Sequence, residues 1–315
     1  MSTILGASKL EKIWDVIIIG AGPAGLTAGI YTARQGHSTL LLDSGKVGGR
    51  ALEAHRIENY PGFPLGLTGA ELMDLFTEQA KRFGVEFKPE TVIGIADAGD
   101  YKIVSTRGGY HKGKTVIIAA GIQRKQLSVP GEMEFKGRGV SYCAICDGPF
   151  FKDKTVVVVG SGHEAVQDAI HLTNTASKVI AISGKKGYSE DYPELATLRV
   201  NPKVEIIEGQ EIAEIIGKEF VTEVKLTEGK VDKLATDGVF ILLEHISTSN
   251  ILVEAGIDAD EGGCIIVDRN QQTNLPGFYA AGDCCCIAWQ VVTAAGEGAK
   301  AALSAMKYVK QKGTT

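Results

Sequence analysis

Cys143 and Cys146 stand in "SYCAICDG" with two residues between them, and Asp147 follows directly. Thiols at that spacing can close into a disulfide and reopen, the chemistry of a dithiol that carries an electron pair. Local electrostatics can lower one thiol's pKa and make it the attacking thiolate. A carboxyl group alongside can carry a proton to or from a leaving thiolate. A zinc site would need a second ligand pair. Cys264 stands alone and no His pair has ligand spacing, so redox chemistry is the preferred reading and no metal site is expected. A second chemistry is written in "GAGPAG", where Gly20, Gly22 and Gly25 form G-x-G-x-x-G around Pro23 and Ala24. Glycines there allow a tight turn, a close approach of pyrophosphate to backbone, and helix packing on a strand. Asp43 lies 23 residues after Gly20, where an acid can accept a ribose hydroxyl.

These residues need elements to hold them. The apolar run "DVIII" enters the first glycine turn, "LTAGIYTARQG" reads as a helix, and "STLLLD" as the next strand. The pattern returns about 140 residues later as "KTVVVVG", "GSGHEA", "VQDAIHLTNTAS" and "KVIAIS". Two βαβ units predict an internal duplication of a nucleotide-binding α/β fold. Between them, residues 84–121 alternate apolar and polar and predict a small antiparallel sheet with turns at "AGD" and "RGG". "QVVTAAGEGAKAALSAMKYVKQ" reads as a final helix. Hinges are expected at 126–132 and 242–250.

Composition narrows the function. At 315 residues the chain has room for about two domains, and 44% hydrophobic residues can build their cores. The net charge is −5 with no basic run, which argues against a nucleic-acid partner. No apolar stretch reaches the length of a membrane span, and the first residues carry no secretory h-region. A soluble cytoplasmic protein is expected, whose cysteines are free, catalytic or metal-bound rather than structural disulfides.

The chain resembles low-molecular-weight, FAD-containing thioredoxin reductases. The resemblance spans nearly the whole sequence and rests on "GAGPAG", "GGRALEAHRIENYPGF", "IIAAG", "SYCAICDG", "GSGHEA" and "TNLPGFYAAGD". It implies two Rossmann-like domains, the second inserted into the first: an FAD-binding domain of 1–121 and 248–315, and a disulfide-bearing NAD(P)-like domain of 122–247. It implies that Gly20, Gly22, Pro23, Ala24, Gly25 and Asp43 hold the ADP half of FAD. Gly49, Arg50 and Asn59 would lie along pyrophosphate and flavin, with Ala120 and Gly121 also lining the cofactor. Gly282 and Asp283 would meet the ribityl chain, and Trp289 and Gln290 the isoalloxazine edge. Cys146 would face the flavin, Cys143 would attack the disulfide of thioredoxin, and Asp147 would serve as acid and base. A homodimer is implied as well.

The second glycine turn departs from the family. NADPH-using members follow this strand with His and Arg that grip the 2′-phosphate. Here the stretch is "VIAISGKKGYSEDYPEL", with Ser183 at the offset where an NAD-binding acid would stand. Lys185 and Lys186 offer point charges without an arginine fork, and Glu164 puts a carboxylate where pyrophosphate would lie. Gly160 and Gly162, with Lys185 and Lys186, are therefore expected to mark a vestigial nucleotide site. Reduced ferredoxin or a reduced deazaflavin is favoured over NADPH as donor. These donors serve divergent members of anaerobes, methanogens and some cyanobacteria. An ordinary NADPH-dependent reductase and an oxygen-using dithiol oxidase are the alternatives.

Cys284, Cys285 and Cys286 stand in a row between Asp283 and Gln290. In NADPH-using members this loop is longer and places an arginine before the glutamine, where Trp289 stands here. Three adjacent side chains converge poorly on one ion, and a bond between neighbouring cysteines is strained. The three are expected to be small, soft residues packed beside the flavin.

Overall fold

The computed structural model describes residues 12–312 apart from 228, 230, 244, 247–254 and 287. The chain divides into two compact units, Met1–Gln123 with Ser247–Thr315, and Arg124–Ile246. The expected hinge at 242–250 lies partly outside the described residues.

The first unit is built on one sheet. Strands Glu86–Lys88, Thr39–Leu42, Ile13–Ile19 and Gly109–Ile118 run parallel in that order. The run "VIII" that ends strand Ile13–Ile19 is apolar and buried because both faces of such a sheet are covered. Val16 and Ile18 face one core, and Ile17 and Ile19 face the other. Helix Pro23–Arg34 follows the glycine turn, with proline in its first turn, where a missing N–H costs nothing. Helix Gly69–Arg82 starts with a capping box, the Thr68 hydroxyl on Glu71 N and the Glu71 carboxylate on Thr68 N. Helix Val291–Lys312 packs on Pro23–Arg34 so closely that a Cβ at Gly298 would lie 2.1 Å from Ala24 O.

The antiparallel segment differs from its sequence reading. Val92–Asp97, Lys102–Thr106 and Gly109–Ile118 do form a meander with the expected turns, but it is no separate sheet. The last strand has ten residues. Its first half pairs with Lys102–Thr106 and its second half with Phe278–Ala280, while Ile13–Ile19 lies along its other edge. A long strand thus fuses the meander to the parallel sheet.

The second unit repeats the theme. Val204–Glu208, Lys178–Gly184, Thr155–Val159, Gly238–Ile241 and Val140–Ser141 form a parallel sheet in that order. Helix His163–Leu172 joins Thr155–Val159 to Lys178–Gly184. Its meander, Ile212–Gly217, Val221–Leu226 and Lys233–Ala235, does stand as a sheet of its own. Among the described residues no helix is long and apolar enough to cross a membrane.

Candidate active site

In the first unit the strand ends converge on the glycine turn. A Cβ at Gly20 would lie 2.2 Å from Ala119 O, and one at Gly25 would lie 1.9 Å from Gly20 O. Only glycine lets these backbones approach so closely. Gly22 caps helix Pro23–Arg34 without a side chain over it, and a Cβ there would meet nothing within 4 Å. The first helical N–H groups therefore open onto space, with the positive end of the helix behind them. Ala120 and Gly121 follow the end of Gly109–Ile118 at the same edge. Asp43, the residue expected to meet the ribose, also has a local task. Its carboxylate accepts from Ala21 N and from Gly45 N, both at 2.7 Å, and so shapes the turn itself.

Residues distant in sequence close the cradle. A Cβ at Gly49 would stand 3.0 Å from Gly22 Cα. Arg50 Nη1 lies 3.3 Å from Asp283 Oδ2. Asn59 Nδ2 donates to Gln290 Oε1 at 3.0 Å, and Ala294 N donates to Gln290 O, so Gln290 stands at the start of the last helix. Gly282 N donates to Glu297 Oε2 at 2.7 Å. Burial and the nearby Asp283 hold the Glu297 carboxyl above the usual range, against the opposing pull of that hydrogen bond. Glu297 was not anticipated. Its signal was a single acid in the small-residue run "AAGEGAKAAL", 15 residues from the glycine it holds only after folding. Bare helix amides and an arginine offer donors that suit phosphates, and a carboxylate and two side-chain amides offer acceptors and donors for the rest of a dinucleotide.

In the second unit the edge strand Val140–Ser141 leads into the cysteines. Cys143 and Cys146 are joined as a disulfide across the short helix Ala144–Asp147, with Cα atoms 5.3 Å apart. Cys146 N donates to Cys143 Sγ at 3.2 Å. Ser141, buried, donates its hydroxyl to Asp147 Oδ2 at 2.6 Å and accepts from Cys143 N at 3.1 Å. This serine links the carboxylate to the first cysteine, a link absent from the sequence reading. Both cysteines and Asp147 are half-buried, and Ile145 and Phe150 are exposed beside them. Behind them, buried Glu132 accepts from Tyr142 Oη, Leu127 N and Ser128 N.

Comparison with known proteins agrees with this combination. Residues 14–299 match the family of pyridine nucleotide-disulphide oxidoreductases. The chain is 41% identical over 308 residues to a thioredoxin reductase of Bacillus subtilis, covering 96% of each. The chain belongs to the low-molecular-weight thioredoxin reductase family. Among solved structures, the thioredoxin reductase of Streptococcus pyogenes superposes with a TM-score of 0.90 at 37% identity, covering 95% of this chain and 99% of that one. A ferredoxin-flavin thioredoxin reductase from Clostridium acetobutylicum matches with a TM-score of 0.54 at 31% identity, over 96% of this chain and all of that one. Membership makes the chain a flavoprotein disulfide reductase and implies FAD, which the cradle's donors fit.

Other cysteines of this thioredoxin reductase family member depart from expectation. Cys264 does not stand alone: it forms a disulfide with Cys286, their Cα atoms 5.5 Å apart. Cys286 is therefore not one of three equivalent packing residues. Ile265 lies against the turn Asp283–Cys285, its N donating to Cys284 O at 2.8 Å. Cys284 and Cys285 are buried free thiols, as packing residues should be. Trp14 belongs to the core, and Trp289 is half-buried ahead of Gln290.

The second glycine turn keeps its shape. A Cβ at Gly160 would lie 2.1 Å from Leu242 O, and Gly162 caps helix His163–Leu172. Its surroundings are acidic. Glu194 lies 2.5 Å from His163 Nε2 and accepts from Gln167 Nε2 at 2.9 Å, while Tyr192 stacks on the His163 ring. These hydrogen bonds keep the Glu194 carboxyl below its usual range. Arg199 donates to Glu190 through Nη1 and Nη2, at 2.7 and 2.6 Å, and Lys185 lies 3.5 Å from Glu211. Among the described residues, the Ser183 and Tyr188 hydroxyls are sealed from solvent without partners.

Proposed function

We propose that the protein reduces the disulfide of a thioredoxin or thioredoxin-like protein, with electrons drawn from a donor other than NADPH. Reduced ferredoxin or a reduced deazaflavin is the favoured class. The observation that carries the choice of donor is the Glu194 carboxylate hydrogen-bonded to His163 and Gln167 at the start of the second nucleotide-type helix. An incoming pyrophosphate would meet a fixed negative charge where a dinucleotide fold ordinarily offers bare amides. The 2′-phosphate would also lack a free guanidinium, because Arg199 is already paired in bidentate fashion with Glu190. Gly160, Gly162, Lys185 and Lys186 are then the remains of a site.

FAD, when bound, supplies an electron pair to a disulfide. Gly20, Gly22, Pro23, Ala24, Gly25, Gly49 and Arg50 hold its phosphates. Asp283 with Gly282 takes the polyol, and Asn59, Trp289 and Gln290 border the ring. Reduction of Cys143–Cys146 leaves two thiols. Cys143, as thiolate, attacks one sulfur of the thioredoxin disulfide and releases the other as a thiolate. Cys146 then attacks Cys143 of the mixed disulfide, freeing dithiol thioredoxin and restoring the pair. Asp147, oriented by Ser141, moves the proton that the leaving thiolate needs. Exposed Ile145 and Phe150 give a protein partner apolar contact next to the reacting sulfurs.

The test is anaerobic mixing of the oxidised holoprotein with NADPH, reduced ferredoxin or reduced deazaflavin, following flavin absorbance. Fast bleaching by one of the latter two, with thioredoxin reduced in turn, is expected. Rapid stoichiometric bleaching by NADPH overturns the choice of donor.

A further inference from the structure

The Cys264–Cys286 disulfide lies in the first unit, outside the exchange chemistry assigned to Cys143 and Cys146. We propose that it is a second thiol–disulfide exchange site, opened by dithiols of the class the enzyme produces, and that it controls the segment leading from Asp283 to Gln290. Three observations carry this. Cys264 and Cys286 are half-buried, as Cys143 and Cys146 are, and so not sealed from an external thiol, whereas Cys284 and Cys285 beside them are buried. The neighbouring Cys284 thiol and burial push the Cys285 thiol far above its ordinary range, so Cys285 does not supply the attacking thiolate. The backbone after the disulfide is held in an unfavourable form: Cys286, Ala288 and Trp289 have φ of 56°, 60° and 39°. Side-chain-bearing residues adopt this left-handed region only when their surroundings impose it. Covalent attachment of Cys286 to the 255–266 segment is such an imposition.

The exchange balances without further reagents. A thiolate of the dithiol attacks one sulfur of Cys264–Cys286, forming a mixed disulfide and expelling the other cysteine as a thiolate that takes a proton. The second thiol of the reductant then attacks the mixed disulfide. Two electrons and two protons pass to the cysteine pair, and the dithiol becomes a disulfide. Opening removes the tether on Cys286, the first of these strained residues. Its other neighbours are Asp283, which meets Arg50, and Gln290, which meets Asn59. The reduced form is thus expected to hold flavin less firmly. This consequence rests on the proposed flavin contacts of Asp283 and Gln290. The exchange itself rests on neither those contacts nor the identity of the donor.

The experiment equilibrates the folded holoprotein anaerobically with graded ratios of reduced and oxidised dithiothreitol. Thiols are then trapped by alkylation and assigned by peptide mass, so each cysteine reports separately. Without reductant Cys264 and Cys286 should be unlabelled. They should become labelled together as the ratio rises, while Cys284 and Cys285 stay unlabelled until the protein is denatured. Labelling of Cys264 and Cys286 without reductant overturns the proposal, as does their resistance at every ratio in the folded protein. Flavin release is measured alongside by filtration. Cys264→Ser should release FAD several-fold faster than the oxidised parent, with no dithiothreitol present. If that variant does not fold, Cys286→Ser serves. Equal release from a folded variant and the oxidised parent overturns the control of the flavin segment. Failure of the donor assignment would leave both readouts unchanged.

Discussion

At the scale of single residues, side chains that hold other side chains matter as much as those that react. Ser141 is such a residue: its hydroxyl joins Asp147 Oδ2 to the Cys143 amide within the reach of the disulfide. A hydrogen bond to a charged group contributes on the order of 1.5 kcal/mol, which corresponds to about a tenfold change in rate if it acts in the transition state. Ser141→Ala should therefore slow disulfide reduction about tenfold, with flavin content unchanged, and Ser141→Thr should recover part of the loss. Stopped-flow measurement of thioredoxin reduction checks this; an unaltered rate would remove Ser141 from the positioning of Asp147. The sequence placed Asp147 beside Cys146 but could not place Ser141 under it, because that contact depends on how the chain bends after a strand.

At the scale of elements, the strands of the first unit are tied at their solvent ends by Asp15. Burial raises its carboxyl pKa, but Lys114 and the Ser38 amide and hydroxyl outweigh that and lower it overall. Lys114 Nζ approaches at 2.8 Å, and the two Ser38 groups at 2.9 Å each. A carboxyl with a lowered folded pKa adds stability above its unfolded pKa, and that stability is lost as pH falls through the folded value. Asp15→Asn should thus cost about 1–2 kcal/mol near neutrality, and the difference from the parent should vanish in acid. Urea midpoints at neutral and strongly acid pH measure it, and a difference that persists in acid would refute the linkage. The elements themselves were readable: both strand–turn–helix–strand units, the first meander's turns and the last helix all follow from period and glycine placement. The fusion of that meander to the parallel sheet was not, because one strand's ten residues serve two partners on the same edge.

At the scale of the whole molecule, the glycine-turn cradle and the Cys143–Cys146 disulfide belong to different units of one chain. The cradle residues all lie within 20–121 and 282–297, and the disulfide lies within 124–246. Damage to one unit should spare the other's chemistry. Gly131 has φ of 85°, and a Cβ there would stand 1.9 Å from Ile215 O. Gly131→Ala should destabilise the second unit by about 2 kcal/mol or more and abolish or impair thioredoxin reduction. Flavin should still copurify at a full ratio to protein, read from its absorbance against the protein band. Loss of flavin together with activity would show that the units are not energetically separable.

The amino-acid order alone determined the features whose meaning is local. Cys143 and Cys146 need only a three-residue spacing to bond, and Gly20, Gly22 and Gly25 need only a strand before them and a helix after. The tertiary structure alone decided the pairs that span the chain. Cys264 finds Cys286 rather than staying single, Glu297 takes the amide of Gly282, and Glu194 closes on His163. The reason is physical. Contacts within one turn are set by backbone geometry, whereas contacts across 15 to 31 residues exist only after sheets and helices have packed and chosen which segments lie side by side.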